Sequence, residues 1–175
     1  AKLYIDGFVA GALAAHPDAT VTVSYTGSFG DTALAAEAAN THIQAGADVL
    51  TGSAQQVVGA IGVASEKEVP WLGTQSDQSP IAPEIVIASQ LYDWDGVLLD
   101  IIEKHQAGEY GGTAYALTLE NGGLVMEYAD GLDADAVAAA QDAEAQIMAG
   151  DTDVMAAIEG VMAEAPVEEA AELEM

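Results

Sequence analysis

The sequence predicts an α/β fold: three layers, α/β/α, with a mainly parallel sheet, plus a C-terminal β-hairpin and helix. Three observations carry this. Short β-branched, apolar runs alternate with alanine-rich helical patterns through most of the chain, the rhythm of strand–helix–strand units. The run E-I-V-I-A-S-Q-L-Y (84–92) reads as a buried strand. After residue 112 the pattern changes to two β-like runs flanking E-N-G-G, a hairpin signal.

The elements follow in order. A helix spans about 2–15, with Tyr4, Phe8 and Gly11 on one face, and stops at His16-Pro17. A strand is expected at 20–25. Asp31 or Thr32 then caps a helix to about 45, stopped by Gly46. D-V-L-T (48–51) is a short strand, and Gln55 to about Lys67 a helix with Val58, Ile61 and Ala64 or Ser65 at helical spacing. V-P-W-L-G-T (69–74) is a strand, with Pro70 near its start where it does least harm. A polar loop, 75–83, leads to the strand at 84–92. Asp93 can cap the next helix, which carries Val97, Leu98, Ile101 and Ile102 and ends at Gly108. The hairpin uses T-A-Y-A-L-T-L and L-V-M-E-Y, and a final helix runs from about 134 to 149, before Gly150. Residues 156–175, rich in Ala and Glu, read as a frayed helix or an acidic tail.

In open parallel sheets, ligands bind at the carboxyl ends of the strands. Four loops follow strands there: T-G-S-F (26–29), T-G-S-A (51–54), T-Q-S-D-Q (74–78) and L-Y-D-W (91–94). Phe29 is one of only two Phe in the chain, and it stands in a Gly/Ser loop. Phe29 and Trp94 are each readable as local packing or as aromatic walls for a planar polar ligand. Asp77 is readable as a site carboxylate or as part of a surface loop.

Composition narrows the ligand. There are 29 acidic residues against three Lys and no Arg, a net charge of −26. Such a chain repels phosphate backbones, so nucleic acid is excluded as a partner. Without Arg, an anionic small ligand is disfavoured and a neutral, hydrogen-bonding one fits better. With no Cys there is no disulfide, thiolate metal site or cysteine nucleophile. G-x-S-x-G, H-E-x-x-H, Walker A and G-x-G-x-x-G motifs are absent, and His16, His42 and His105 sit at or near helix ends. No enzyme activity, metal or cofactor is expected. No apolar run reaches the ~18 residues of a membrane span.

Several stretches resemble one family: I-D-G-F-V-A-G (5–11), Y-T-G-S-F-G-D (25–31), A-G-A-D-V-L (45–50), T-Q-S-D-Q (74–78), I-A-S-Q-L-Y-D-W (87–94), G-T-A-Y-A-L-T-L-E-N-G-G (112–123) and I-M-A-G-D (147–151). They are similar to the basic membrane protein family, the PnrA-like substrate-binding proteins of ABC transporters. The resemblance implies a type I periplasmic-binding-protein fold, with two lobes closing on a purine nucleoside or related purine for delivery to a permease. It implies that residues 1–155 form the C-terminal lobe, with about 92–108 crossing to pack on an N-terminal lobe that this chain lacks. It also implies an extracytoplasmic place, in the periplasm or at the outer face of the membrane, with a lipoprotein anchor in the full-length protein.

The family's stacking Phe corresponds to Phe29, and a Gly after the next strand to Gly52. Where the family has V-D-S-D-Q, this chain has Thr74-Gln75-Ser76-Asp77-Gln78, so a ribose-binding Asp is replaced by Gln75. Where the family often has a ribose-binding Lys, this chain has Tyr92. The expected ligand contacts are therefore Phe29, Gly52, Gln75, Asp77, Tyr92 and Trp94, and the expected ligand is a neutral purine nucleoside or a free purine base. The alternative is a ligand-sensing domain of the same fold in signalling.

Overall fold

The structure is a computed structural model that describes residues 2–164. Four strands form one sheet in the order β1 (Leu50–Thr51), β2 (Trp71–Gln75), β3 (Val86–Tyr92) and β4 (Leu124–Tyr128). The first three are parallel; β4 joins β3 antiparallel. Register aligns Leu50 with Trp71 and Trp71 with Val86, and these three side chains share one core cluster. Helices α2 (Thr32–Gln44) and α3 (Val57–Glu66) complete it with Ala35, Ala39, Val57, Ala60, Ile61 and Ala64. The row of Thr51 belongs to the opposite face, where Tyr4 of α1 (Lys2–Ala15) reaches it. Helix α5 (Ala134–Ala149) meets the edge strand where the Tyr128 hydroxyl donates to Glu144. Helices therefore cover both faces, the expected three-layer α/β/α arrangement.

Local chemistry explains the helix limits. The Asp31 carboxylate accepts from the amides of Ala33 (3.0 Å) and Leu34 (3.2 Å), supplying partners for orphan donors of α2. Gly150 closes α5 in the left-handed region, at φ 75°. Helices α2 and α3 approach so closely that a Cβ on Gly59 would lie 2.0 Å from the Thr32 carbonyl oxygen.

Two expected elements differ. Residues 20–25 do not form a strand; only Val23 makes an isolated bridge. The segment is fastened instead by His42 of α2, whose Nδ1 and Nε2 each lie 2.9 Å from a hydroxyl, of Thr22 and Ser24 respectively. The hairpin is also absent. Its second run is β4, but β4 pairs with β3, and the first run is irregular. Gly111 and Gly112, at φ 82° and 85°, bend the chain before that run. Tyr115 is drawn aside to Asp100, and Asn121 closes the turn by donating to the Ala116 carbonyl (2.7 Å).

Helix α4 (Asp95–Gln106) has no buried residue. Leu98, Leu99, Ile101 and Ile102 are exposed and Val97 is half-buried. The cap of this helix is Trp94, which makes no side-chain capping bond; Asp93, expected to cap it, stands one residue earlier and its carboxylate accepts from Asp95 N (2.9 Å). Residues 154–164 form helix α6 (Val154–Glu164), which packs on α1 and buries Ile158. The helical reading holds for that part of 156–175; residues 165–175 lie outside the described residues.

The close helix pair gives a paired test. Gly59→Ala should lower stability by about 1–3 kcal/mol through overpacking. Gly62→Ala, on the same helix with nothing within 4 Å, should raise it by roughly 0.5–1 kcal/mol. Urea denaturation of both variants checks this; equal effects would contradict the packing described.

Candidate ligand-binding edge

The carboxyl edge of the sheet is assembled from four short segments, each held by its own hydrogen bonds. In the T-G-S-F loop, the Thr26 hydroxyl donates to the Ser28 carbonyl (3.1 Å), and Ser28 Oγ accepts from the amides of Gly30 and Asp31. Gly27, at φ 69°, makes the turn. The Gln56 amide donates to the Phe29 carbonyl (3.0 Å), and the Gln56 side chain donates to Thr26 Oγ1 (2.7 Å). The Phe29 side chain itself packs on little, at 73% exposure.

At the end of β1, Thr51 Oγ1 donates to the Leu72 carbonyl (2.8 Å), which leaves it to accept from the Tyr4 hydroxyl (2.7 Å). Burial pushes the Tyr4 hydroxyl pKa up, and the nearby Tyr92 hydroxyl adds to this. Gly52 follows. A Cβ there would stand 3.0 Å from Val57 and 3.3 Å from the Trp71 indole, so the backbone must rest on that ring. The Gly52 carbonyl accepts from Thr74 Oγ1 (2.9 Å), tying β1's end to β2's. Ala54 then adopts φ 129° and, at the end of β2, Gln75 adopts φ 72°. Each is a non-glycine residue in the left-handed half of backbone space, a cost of about 1–3 kcal/mol that concentrates at functional sites.

Beneath this edge lies a buried polar network. The Trp71 indole N–H donates to Gln78 Oε1 (2.7 Å), Gln78 Nε2 donates to the Thr74 carbonyl (3.0 Å), and the Gln78 amide donates to Ser89 Oγ (3.3 Å). At the end of β3, the rings of Tyr92 and Trp94 meet edge-to-face with centroids 6.2 Å apart, and both side chains are exposed.

Phe29, Gly52, Gln75, Tyr92 and Trp94 thus stand on successive segments of one edge, linked by Gln56, by the Thr74–Gly52 bond and by the pairing of Gln75 with Leu91. Asp77 is placed differently. Its carboxylate accepts from Ser79 N (2.8 Å), and hydrogen bonding to the Ser79 side chain, then to that amide, holds its pKa below the usual carboxylate range. It lines a cavity of about 70 Å³ beside β3 and β4, with Ser79, Ser89, Glu127 and Tyr128. Sequence reasoning passed over Tyr4, Thr51, Gln56 and Gln78. Gln78 was within reach, since it stands in the same T-Q-S-D-Q motif that drew attention to Asp77. Among the described residues, no group of three or more His, Cys, Asp or Glu is placed to hold a metal ion.

Comparison with known proteins agrees with this architecture. The family model of the PnrA-like ABC transporter substrate-binding proteins matches residues 1–158, and the chain belongs to that family. It is 25% identical over 147 residues to a purine-binding protein of Brucella abortus, covering 84% of this chain and 42% of that protein. It superposes on an ABC transporter solute-binding protein from Conexibacter woesei with a TM-score of 0.68 and 25% identity, covering 85% of this chain and 50% of that one. A transcriptional activator of the comK gene from Bacillus halodurans shares the fold, with a TM-score of 0.67 at 15% identity, covering 83% of this chain and 62% of that one. The chain spans about half the length of the relatives it matches.

His42 gives the fold's stability a pH dependence. Burial lowers its pKa from 6.5, so the unfolded chain takes up the proton first. Its contribution to stability is present above about pH 6.5 and is lost as the pH falls through the lowered folded value. Between pH 7.5 and 5.5, wild type should therefore lose more stability, or gain less, than His42→Gln in urea melts. Parallel pH profiles for the two proteins would contradict this.

Proposed function

We propose that the chain supplies one wall of a solute-capture site in an ABC uptake system. The site binds a neutral purine nucleoside or purine base without chemistry and hands it to a permease. Residues 1–155 act as one lobe of a two-lobed binder, and the segment 92–108, with its exposed apolar helix α4, packs on the other lobe. The protein works outside the cytoplasm, at the membrane's outer face or in the periplasm, held there by a lipid anchor.

One observation carries the ligand reading. Phe29 presents an exposed ring on a loop hydrogen-bonded at both ends, at the edge where such sheets bind ligands. An exposed Phe gains nothing for the fold, whereas a planar ligand stacked on it would cover it. The absence of Arg and the charge of −26 favour a neutral ligand, and the Brucella relative is named for purine binding. Gln75, Tyr92 and Trp94 supply polar edges and a second aromatic surface. Gly52 lets the backbone lie close beneath the ligand. Asp77, bonded to its own loop, is the weakest of the proposed contacts.

Calorimetry on the full-length protein with guanosine, adenosine, guanine and adenine tests this. Stacking on a base is worth about 1–3 kcal/mol, so Phe29→Ala should cost roughly tenfold or more in affinity. Phe29→Tyr keeps a stacking face and should be mild. With Gln75 and Tyr92 in place of Asp and Lys, riboside and base should bind comparably. Unchanged affinity in Phe29→Ala would end the stacking reading, and a large preference for the riboside would end the argument from Gln75 and Tyr92.

A further inference from the structure

Gln56 is the first residue of α3's cap, and its side chain makes no capping bond to that helix. It turns back instead. Nε2 donates to Thr26 Oγ1 (2.7 Å), at the start of the T-G-S-F loop, while the backbone amide donates to the Phe29 carbonyl (3.0 Å), at its end. One residue thus grips both ends of the loop that carries the exposed ring. The surrounding hydrogen bonds orient the side-chain amide. The Thr26 hydroxyl gives its own proton to the Ser28 carbonyl (3.1 Å), so it must accept from Gln56, and only Nε2 can donate.

This orientation has a cost. Gln56 is 9% exposed, and its Oε1 is the one fully buried side-chain polar atom without a hydrogen-bond partner among the described residues. Leaving a buried acceptor unpaired costs about 1–3 kcal/mol. The fold tolerates that loss while holding Nε2 on the loop. Nearby, Ala54 carries a positive φ, so the chain reaching Gln56 is strained as well. A capping Ser, Thr, Asp or Asn would have served α3 better. The local preferences of the helix are overridden in favour of the loop.

We propose that Gln56 is the positioning residue for Phe29, fixing the T-G-S-F loop so that the ring is presented to the ligand before binding. This rests on the reading of Phe29 as a stacking face. Gln56 touches no ligand; it acts by removing loop conformations that would otherwise have to be frozen on binding.

Two readouts test the proposal in the full-length protein. The first needs no ligand. In hydrogen exchange followed by NMR, Gln56→Met, which keeps side-chain length without donor or acceptor, should speed exchange at the amides of Ser28, Gly30 and Asp31 while the β2 and β3 amides stay protected. Gln56→Leu also lacks a side-chain donor; it should show the same local effect, and it serves if the Met variant folds poorly. Unchanged exchange at those amides in both variants would overturn the proposal. The second readout is a double-mutant cycle on adenosine and guanosine affinity. Gln56→Met should cost about fivefold, the scale of one hydrogen bond, in the wild-type background. It should cost nothing further once Phe29 is Ala, because it acts through that ring. Additive losses would overturn the proposal. If Phe29→Ala leaves affinity untouched, the stacking reading fails instead, and hydrogen exchange still decides whether Gln56 holds the loop.

Discussion

The hydrogen bond from the Trp71 indole to Gln78 is the interaction on which the rest of the edge depends. Trp71 is 1% exposed, and its N–H would otherwise be buried without a partner. Satisfying it draws Gln78 over the sheet, and Gln78 in turn fixes the Thr74 carbonyl and meets Ser89 on β3. The same indole forms the surface on which Gly52 rests, so one side chain sets the height of β1's end and the path of the loop after β2. Thr74 completes the tie by donating to Gly52. Buried networks of this kind rigidify when every member is satisfied. Here they lie directly beneath the residues proposed to face the ligand.

Strain sits above that rigid layer. Ala54 and Gln75 hold positive φ values at the ends of β1 and β2, and Gln56 leaves an acceptor unpaired. A loose edge would relax these features. They persist because the indole, Gln78 and the Thr74–Gly52 bond over-determine the backbone around them. The resulting surface is preorganised: the exposed groups are presented by segments whose own polar groups are already spent on one another, leaving ring faces and the Gln75 and Tyr92 side chains for a ligand.

Local chemistry made much of this legible in advance. Asp31 and Gly150 mark helix ends through capping rules that depend on a few neighbouring atoms, and both act as read. The apolar run 84–92 contains a central strand, because paired neighbours on both sides require one. What failed depended on distant partners. V-T-V has strand propensity, yet His42, twenty residues on from Thr22, fixes that segment through side chains rather than a ladder. The E-N-G-G turn forms, yet β4 takes β3 as its partner, which no local pattern announces. In the site, Phe29 stood out because a large apolar residue in a Gly/Ser loop lacks a folding reason. Gln56 and Gln78 did not, because a glutamine's role lies entirely in what it touches. The Asp77 carboxylate accepts from its own turn, a contact that the motif alone does not announce.

The central claim is that ligands meet this chain at the carboxyl edge above the Trp71–Gln78 layer. Backbone NMR of the protein titrated with adenosine tests it most directly. The account predicts that, within this chain, shift changes concentrate at Gly27 to Phe29, Gly52 to Ala54, Gln75 and Tyr92 to Trp94. Changes concentrated instead around Ser79, Glu127 and Tyr128, beside β3 and β4, would contradict it.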